Sequence, residues 1–164
     1  MQILRGVATQ LQKLTGQCNK KELKMAYISA TEVKAIRNEL KAQFPKFKFG
    51  VRKGAGSLSV DVTVKSGPID FVENHSQTID HRHVDARLAE GYLQVNQYWF
   101  QDHFTGEAKD AIDQFLRIIK IAPSTVAGGR RWFDESDVRS DYFHTAYYIH
   151  LQIGAWNQPY ALVK

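Results

Sequence analysis

Three side chains in the stretch IDHRHVDA (79–86) have the types and spacing that metal chemistry needs. His81, His83 and Asp85 form an H-x-H-x-D pattern, in which two imidazoles and a carboxylate can meet one ion from an extended segment. Metal-dependent hydrolases that use this pattern add a histidine directly after the aspartate, where this chain has Ala86. The pattern therefore leaves two interpretations, a weak metal site or a pair of exposed loop histidines, and we favour the second.

A second candidate is the stretch GGRRWF (128–133), in which two glycines precede groups that bind partners. Arg130 and Arg131 can each fork onto a phosphate or a carboxylate, and Trp132 can stack against a partner or anchor it. The stretch lacks the G-x-x-x-x-G-K-[ST] spacing of a phosphate-binding loop, so it does not predict nucleotide binding. Binding is our preferred interpretation, and a loop whose tryptophan packs back on the core is the alternative.

The third candidate is the segment YFHTAYYIHLQIG (142–154), whose residues alternate between two faces as they do in a strand. One face carries four aromatic or histidine side chains, namely Tyr142, His144, Tyr148 and His150. An open face of this kind suits the stacking of bases or the docking of a protein, whereas a face covered by a helix would hold core tyrosines. Both alternatives remain open at the level of sequence.

Basic residues are concentrated in the first third of the chain. Residues 1–53 hold 12 Lys or Arg and three Glu, and the remaining residues hold 10 Lys or Arg and 14 Asp or Glu. Lys46, Lys48 and Arg52 are expected on the outer face of a hairpin, where they form a candidate nucleic-acid surface. A solvated strand face explains the same pattern without a partner.

The elements that must position these candidates follow from the spacing of apolar residues. Residues 27–44 predict a helix, in which Ser29 and Glu32 form an S-x-x-E capping box. The stretches KFKFGVRK (46–53) and LSVDVTVK (58–65) alternate as two strands of a hairpin. Further along the chain we expect a short helix after Pro68, a loop over 77–90, a strand over 92–100, a helix over 105–122 capped by Thr105, a loop over 123–141 and a final strand over 142–154.

This order, (α)-α-β-β-α-β-α-β, predicts an α+β fold with an antiparallel or mixed sheet of about four strands and helices mainly on one face. Residues 1–24 are expected to form a helix over 2–15 and a polar linker, and residues 25–164 a single domain. The helix over 2–15 packs either on its own domain or on a second copy of the chain.

Two stretches resemble one known family when they are taken together. YISATEVKAIRNELKAQFPKFKFGVRKGAGSLSVDVTVKSGP and SDYFHTAYYIHLQIGAWNQPY are similar to the opening and closing blocks of the large polyvalent protein-associated domain 29 family. The resemblance spans residues 26–163. It implies an α+β module from phages, plasmids or other mobile elements, and it carries over no catalytic residues.

Composition excludes several classes of protein. No apolar run is long enough to span a membrane, and the N-terminus has no secretory h-region, so we expect a cytoplasmic protein. Cys18 is the only cysteine, and no G-x-S-x-G nucleophile signature occurs. We therefore expect no cofactor and a non-enzymatic binding module that acts by protein contact. The mobile-element setting that the family resemblance implies would make this a counter-defence or accessory protein. The alternatives are a basic nucleic-acid-binding domain and a metal-dependent hydrolase.

Overall fold

The computed structural model describes residues 25–78 and 90–164. The predicted helix over 2–15, with its suggested role in self-association, and the polar linker after it lie outside the described residues. The elements follow the predicted order, with one extra short helix and one extra short strand. They are α1 (Ala30–Gln43), β1 (Lys48–Lys53), β2 (Ser59–Gly67), α2 (Phe71–Thr78), β3 (Leu93–Val95), α3 (Phe100–His103), α4 (Gly106–Ile121), β4 (Tyr148–Ile153) and β5 (Ala161–Leu162).

The strands form one mixed sheet in the order β1-β2-β4-β3, and β5 pairs with the end of β2. The β1–β2 and β3–β4 pairs are antiparallel, whereas the central β2–β4 pair is parallel. Buried apolar residues lie beside one another at the centre of this register, as Val62 lies beside Val51 and Leu151. The prediction of an α+β fold with a mixed sheet is confirmed.

Helices α1 and α4 cover one face of the sheet and enclose the core. The capping box at the start of α1 is formed as predicted, because the Glu32 amide donates to Ser29 Oγ and the Ser29 amide donates to Glu32 Oε2. In α4 the apolar stripe faces the sheet and is buried. Phe115 on this stripe contacts the rings of Phe44, Phe47, Phe49 and Phe71, with centroids 4.9–6.2 Å apart.

The predicted strand over 92–100 is wrong beyond Val95. The side chain of Asn96 accepts a hydrogen bond from the Tyr98 amide, and the Asn96 carbonyl accepts one from the Trp99 amide. Asparagine commonly turns the chain in this way. The chain therefore leaves the sheet at Asn96 and continues into α3.

The final strand is shorter than predicted, and the loop before it is more ordered. Regular pairing begins at Tyr148, and residues 142–147 make only isolated bridges. Strict alternation would place Phe143 on the same face as the buried Tyr147, and Ala146 on the same face as the exposed Tyr148. The irregular path instead exposes Phe143 and buries Ala146. The loop over 123–141 contains two short 3₁₀ turns, at Ala122–Thr125 and Val138–Ser140.

Helix α4 begins where the sequence predicts, but Thr105 makes no side-chain capping hydrogen bond. Asn74 of α2 holds Thr105 in place instead. The Thr105 amide donates to Asn74 Oδ1 over 2.9 Å, and Asn74 Nδ2 donates back to the Thr105 carbonyl. A contact supplied from another element gives no local signal in the sequence.

The buried carboxylate of Glu32 and the side chain of Arg130 together join three distant segments. Glu32 is only 5% exposed, and its Oε1 accepts a 3.1 Å hydrogen bond from the Arg130 amide, while Oε2 accepts from Ser29. The Arg130 guanidinium donates in turn to the carbonyls of Tyr27 and Ala146, each over 3.2 Å. The start of α1, the 128–133 loop and the segment before β4 are thus held together.

We expect Glu32→Ala to lower the free energy of unfolding by about 2–4 kcal/mol, because two backbone amides lose a charged acceptor. Glu32→Gln should cost less, since its amide oxygen can still accept from one of them. The measurement is urea unfolding, with the exposed Glu39→Ala on the same helix as the control. Equal losses for Glu32→Ala and Glu39→Ala would contradict this role for Glu32.

Candidate functional site

The face of the sheet opposite α1 and α4 is polar. Its side chains form cross-strand rows, and one row runs from Arg52 on β1 through Asp61 on β2 to His150 on β4. Asp61 binds both neighbours, with 3.6 Å from its Oδ2 to Arg52 Nε and 2.9 Å from its Oδ1 to His150 Nδ1. His150 therefore keeps its Nε2 for solvent or a partner. The adjoining row of the same face contains Gly50, Thr63, Gln152 and Gln94.

An aromatic groove of about 500 Å³ adjoins this row at the β3 side of β4. We define it by four exposed apolar side chains and by Asp134 and His150 at its margins. The apolar members are Tyr98, Val138, Phe143 and Tyr148. Phe143 is 61% exposed and Tyr148 is 46% exposed, so both rings can contact a partner.

The walls of the groove come from two turns of the chain. Beyond Val95 the chain turns away at Asn96 and presents Tyr98 on one side. On the other side two bridges, Asp134–Thr145 and Asp137–Tyr142, fold residues 134–145 back on themselves. This fold places Val138 and Phe143 beside β4.

A hydrogen bond between Tyr98 and Asp134 joins the two walls, with the Tyr98 hydroxyl donating to Asp134 Oδ2. Burial and this bond raise the pKa of Tyr98 to about 12. Burial alone would raise the pKa of Asp134, but hydrogen bonds from Ser136 and Tyr98 outweigh it and lower that pKa. Asp134 therefore stays ionised at the edge of the groove at neutral pH.

The structure separates the residues predicted in the 128–133 loop. Trp132 Nε1 donates to the Tyr147 carbonyl over 2.9 Å, Lys120 Nζ lies 4.5 Å from the Trp132 ring centroid, and the ring packs against the core. Arg130 is held by its two carbonyl acceptors. Arg131 is exposed and is the member of the three that faces solvent most openly. A binding role for these residues stays a prediction, and the structure gives two of them a packing role.

Of the four residues predicted on the final segment, Tyr148 and His150 lie together on the open face and at the groove. His144 is held by Glu135, with 3.1 Å from Nδ1 to Oε2, and its ring lies 5.0 Å from that of Phe133. Tyr142 lies beside His144. The predicted basic residues Lys46, Lys48 and Arg52 are all exposed in or just before β1, and none of them lines the groove.

The candidate metal ligands His81, His83 and Asp85 lie outside the described residues. Within 25–78 and 90–164, no group of three or more His, Cys, Asp or Glu is placed to hold a metal ion. No helix in these same ranges is long and apolar enough to cross a membrane.

The sequence profile of the large polyvalent protein associated domain 29 family matches residues 27–113. This stretch is more than half of the 164 residues. The chain belongs to this family. Its membership identifies it as a module associated with phages and other mobile elements. The match contains α1 to α3 and the first half of α4, whereas β4 and the groove residues from Trp132 onwards lie beyond it. No curated protein sequence and no solved structure matches the chain.

In this member of the family, Asp134→Asn should lower the pKa of Tyr98 from about 12 towards the ordinary value for tyrosine. Because folding raises this pKa, the stability due to the protonated hydroxyl is complete below the unfolded pKa and is lost as pH rises through the folded pKa. The measurement is an NMR titration of chain labelled at tyrosine Cζ, with Tyr98→Phe to assign the signal. Asp110→Asn is the control, and an unchanged pKa in Asp134→Asn would contradict the contact.

Arg130 and Arg131 should respond differently to alanine substitution. Arg130→Ala removes two hydrogen bonds from a charged group and should destabilise the fold by about 2 kcal/mol, whereas Arg131→Ala should change stability by less than about 0.5 kcal/mol. Urea unfolding of both variants measures the difference. Similar stabilities would show that the bonds of Arg130 contribute nothing net.

Proposed function

We propose that this chain is a non-enzymatic binding module of a phage or mobile element, and that it docks a partner protein in the aromatic groove. The observation that carries the proposal is the convergence of Tyr98, Val138, Phe143 and Tyr148, all exposed, on one groove of about 500 Å³. Soluble proteins rarely gather exposed large apolar side chains in one place without a partner. Aromatic side chains are also enriched at the energetic centres of protein interfaces.

The charge around the groove favours a protein partner over a nucleic acid. Residues 134–141 carry four acidic residues and one arginine, a net charge of −3. A phosphate backbone would be repelled by this loop. On the adjoining sheet face, Asp61 already neutralises Arg52 and lies against His150. The polyanion surface nearest to the groove is therefore weak.

The association of the family with mobile elements suggests what kind of protein the partner is. A module of a mobile element that contacts a host protein is suited to act in counter-defence or as an accessory of the element's own machinery. Three titratable side chains that line the groove, Tyr98, Asp134 and His150, are already hydrogen-bonded within the fold. This arrangement suits contact better than proton transfer.

Nucleic-acid binding through the hairpin is the second candidate. Residues 46–65 carry five Lys or Arg and one Asp, a net charge of +4, and Lys46, Lys48, Lys53 and Lys65 are exposed. This surface lies on different residues from the groove, so the two candidates are separable by substitution.

The test is affinity capture from a host lysate with the full chain as bait. A Phe143→Ala/Tyr148→Ala double variant should lose the captured protein by at least about tenfold, because it removes the two central rings of the groove. Trp156→Ala is the matched control, since Trp156 is 70% exposed but does not line the groove. Quantitative mass spectrometry compares the retained proteins.

Two conditions separate the candidates. Protein contact predicts retention that survives nuclease treatment and moderate salt. Capture that is lost with nuclease and falls steeply with salt would support the hairpin as the binding surface instead. Equal capture by wild type and the double variant would exclude the groove as the docking site.

A further inference from the structure

The edge of β4 beside the groove has room for a strand. β3 pairs with Leu151–Ile153 through its three residues Leu93–Val95. Continuing this antiparallel register would place Asn96 opposite His150, but the turn at Asn96 takes the chain away. The groove opens at this point, between residues 96–98 and residues 148–150.

A buried acceptor lies in the same wall. The Oε1 atom of Gln97 is buried and has no hydrogen-bond partner within the part of the chain that the structure describes. Gln97 lines the groove. A buried acceptor without a donor costs about 1–3 kcal/mol, so a rotation of the Gln97 side chain that brings Oε1 to a backbone N–H arriving in the groove would be favourable. An extended segment brings such donors at every second residue.

The charge and shape of the groove define the side chains that fit it. The acidic loop over 134–141 includes the exposed Val138 and lies next to the exposed Phe143, and its Asp134 lines the margin of the groove. Arginine and lysine match this combination, because each has an apolar stem that lies on rings and a cationic end that meets carboxylates. An apolar neighbour in the ligand would fill the space beside Tyr148.

We propose that the groove binds an extended segment of a partner protein, with arginine or lysine beside apolar residues, as an added strand along residues 148–150 of β4. This inference rests on the proposed function and specifies its partner. Backbone hydrogen bonds supply affinity in strand addition, and the pockets for alternate side chains supply specificity. Here the apolar walls of the groove would receive the apolar side chains of the segment, and the acidic loop would receive its arginine or lysine.

The probe is a set of fluorescent peptides of about six residues, the usual length of a strand. One peptide alternates arginine with leucine or valine, a second replaces arginine with glutamate, and a third carries N-methyl groups on alternate residues of the arginine peptide. Fluorescence anisotropy with the full chain measures the affinities. We expect the glutamate and N-methyl peptides to bind at least about tenfold more weakly.

Variants of the chain provide the matched comparison. Asp134→Asn should weaken binding of the arginine peptide by about two- to fivefold, since this contact is partly exposed. Asp110→Asn removes a carboxylate from α4 and should leave binding unchanged. The bound arginine peptide should also slow amide hydrogen exchange at Ile149, because the amide of Tyr148 already donates to Leu58 within the sheet.

Each outcome decides one part of the inference. Equal binding of arginine and glutamate peptides overturns the cationic ligand, and equal binding of the N-methyl peptide overturns strand addition. Binding of none of these peptides overturns the inference as a whole. The proposed function is decided separately, by the capture experiment with Phe143→Ala/Tyr148→Ala, and it stands if that variant loses its protein while all peptides fail.

Discussion

The carboxylate of Glu32 organises segments that are far apart in the chain. One oxygen completes the capping box of α1, and the other accepts from the amide of Arg130, 98 residues further on. Arg130 then reaches the carbonyl of Ala146, just before β4. A buried carboxylate is costly unless its hydrogen bonds are made, so the loop and the start of β4 must stay in place for α1 to be stable. The groove depends on this because its Val138 and Phe143 lie between Arg130 and Ala146.

The parts of the fold that local chemistry determines could be predicted from the sequence. The capping box of α1, the alternation of β1 and β2 and the apolar stripe of α4 are each encoded within a few residues. Prediction failed where a single polar side chain overrides a pattern, as Asn96 does when it ends β3. It also failed where a distant residue supplies the contact, as Asn74 does for Thr105. Such contacts leave no periodic signal.

The candidate site was predicted only in part, for a related reason. Tyr148 and His150 share one face of a strand, so alternation placed them together, but it did not decide whether that face is open. Tyr98, Val138 and Phe143 join them only through tertiary contacts, and strict alternation would place Phe143 on the opposite face of the strand. Trp132 and Arg130 have the residue types of an interface, but residue type alone does not distinguish a hot spot from a residue that fastens a loop. Their hydrogen bonds to carbonyl groups show that both side chains fasten the loop, and a binding role for them stays a prediction.

The parallel pair at the centre of the sheet bears on how this family should be delimited. β2 pairs in parallel with β4, although the facing residues Asp61 and His150 are 89 residues apart in the chain. The region shared with the family ends at residue 113, before that partner begins. A fragment cut at this boundary would leave β2 with a bare apolar flank, which is a template for aggregation. During synthesis this edge of β2 stays unpaired until the last residues of β4 have left the ribosome. The central pair of the sheet therefore forms late, and its formation closes a long loop.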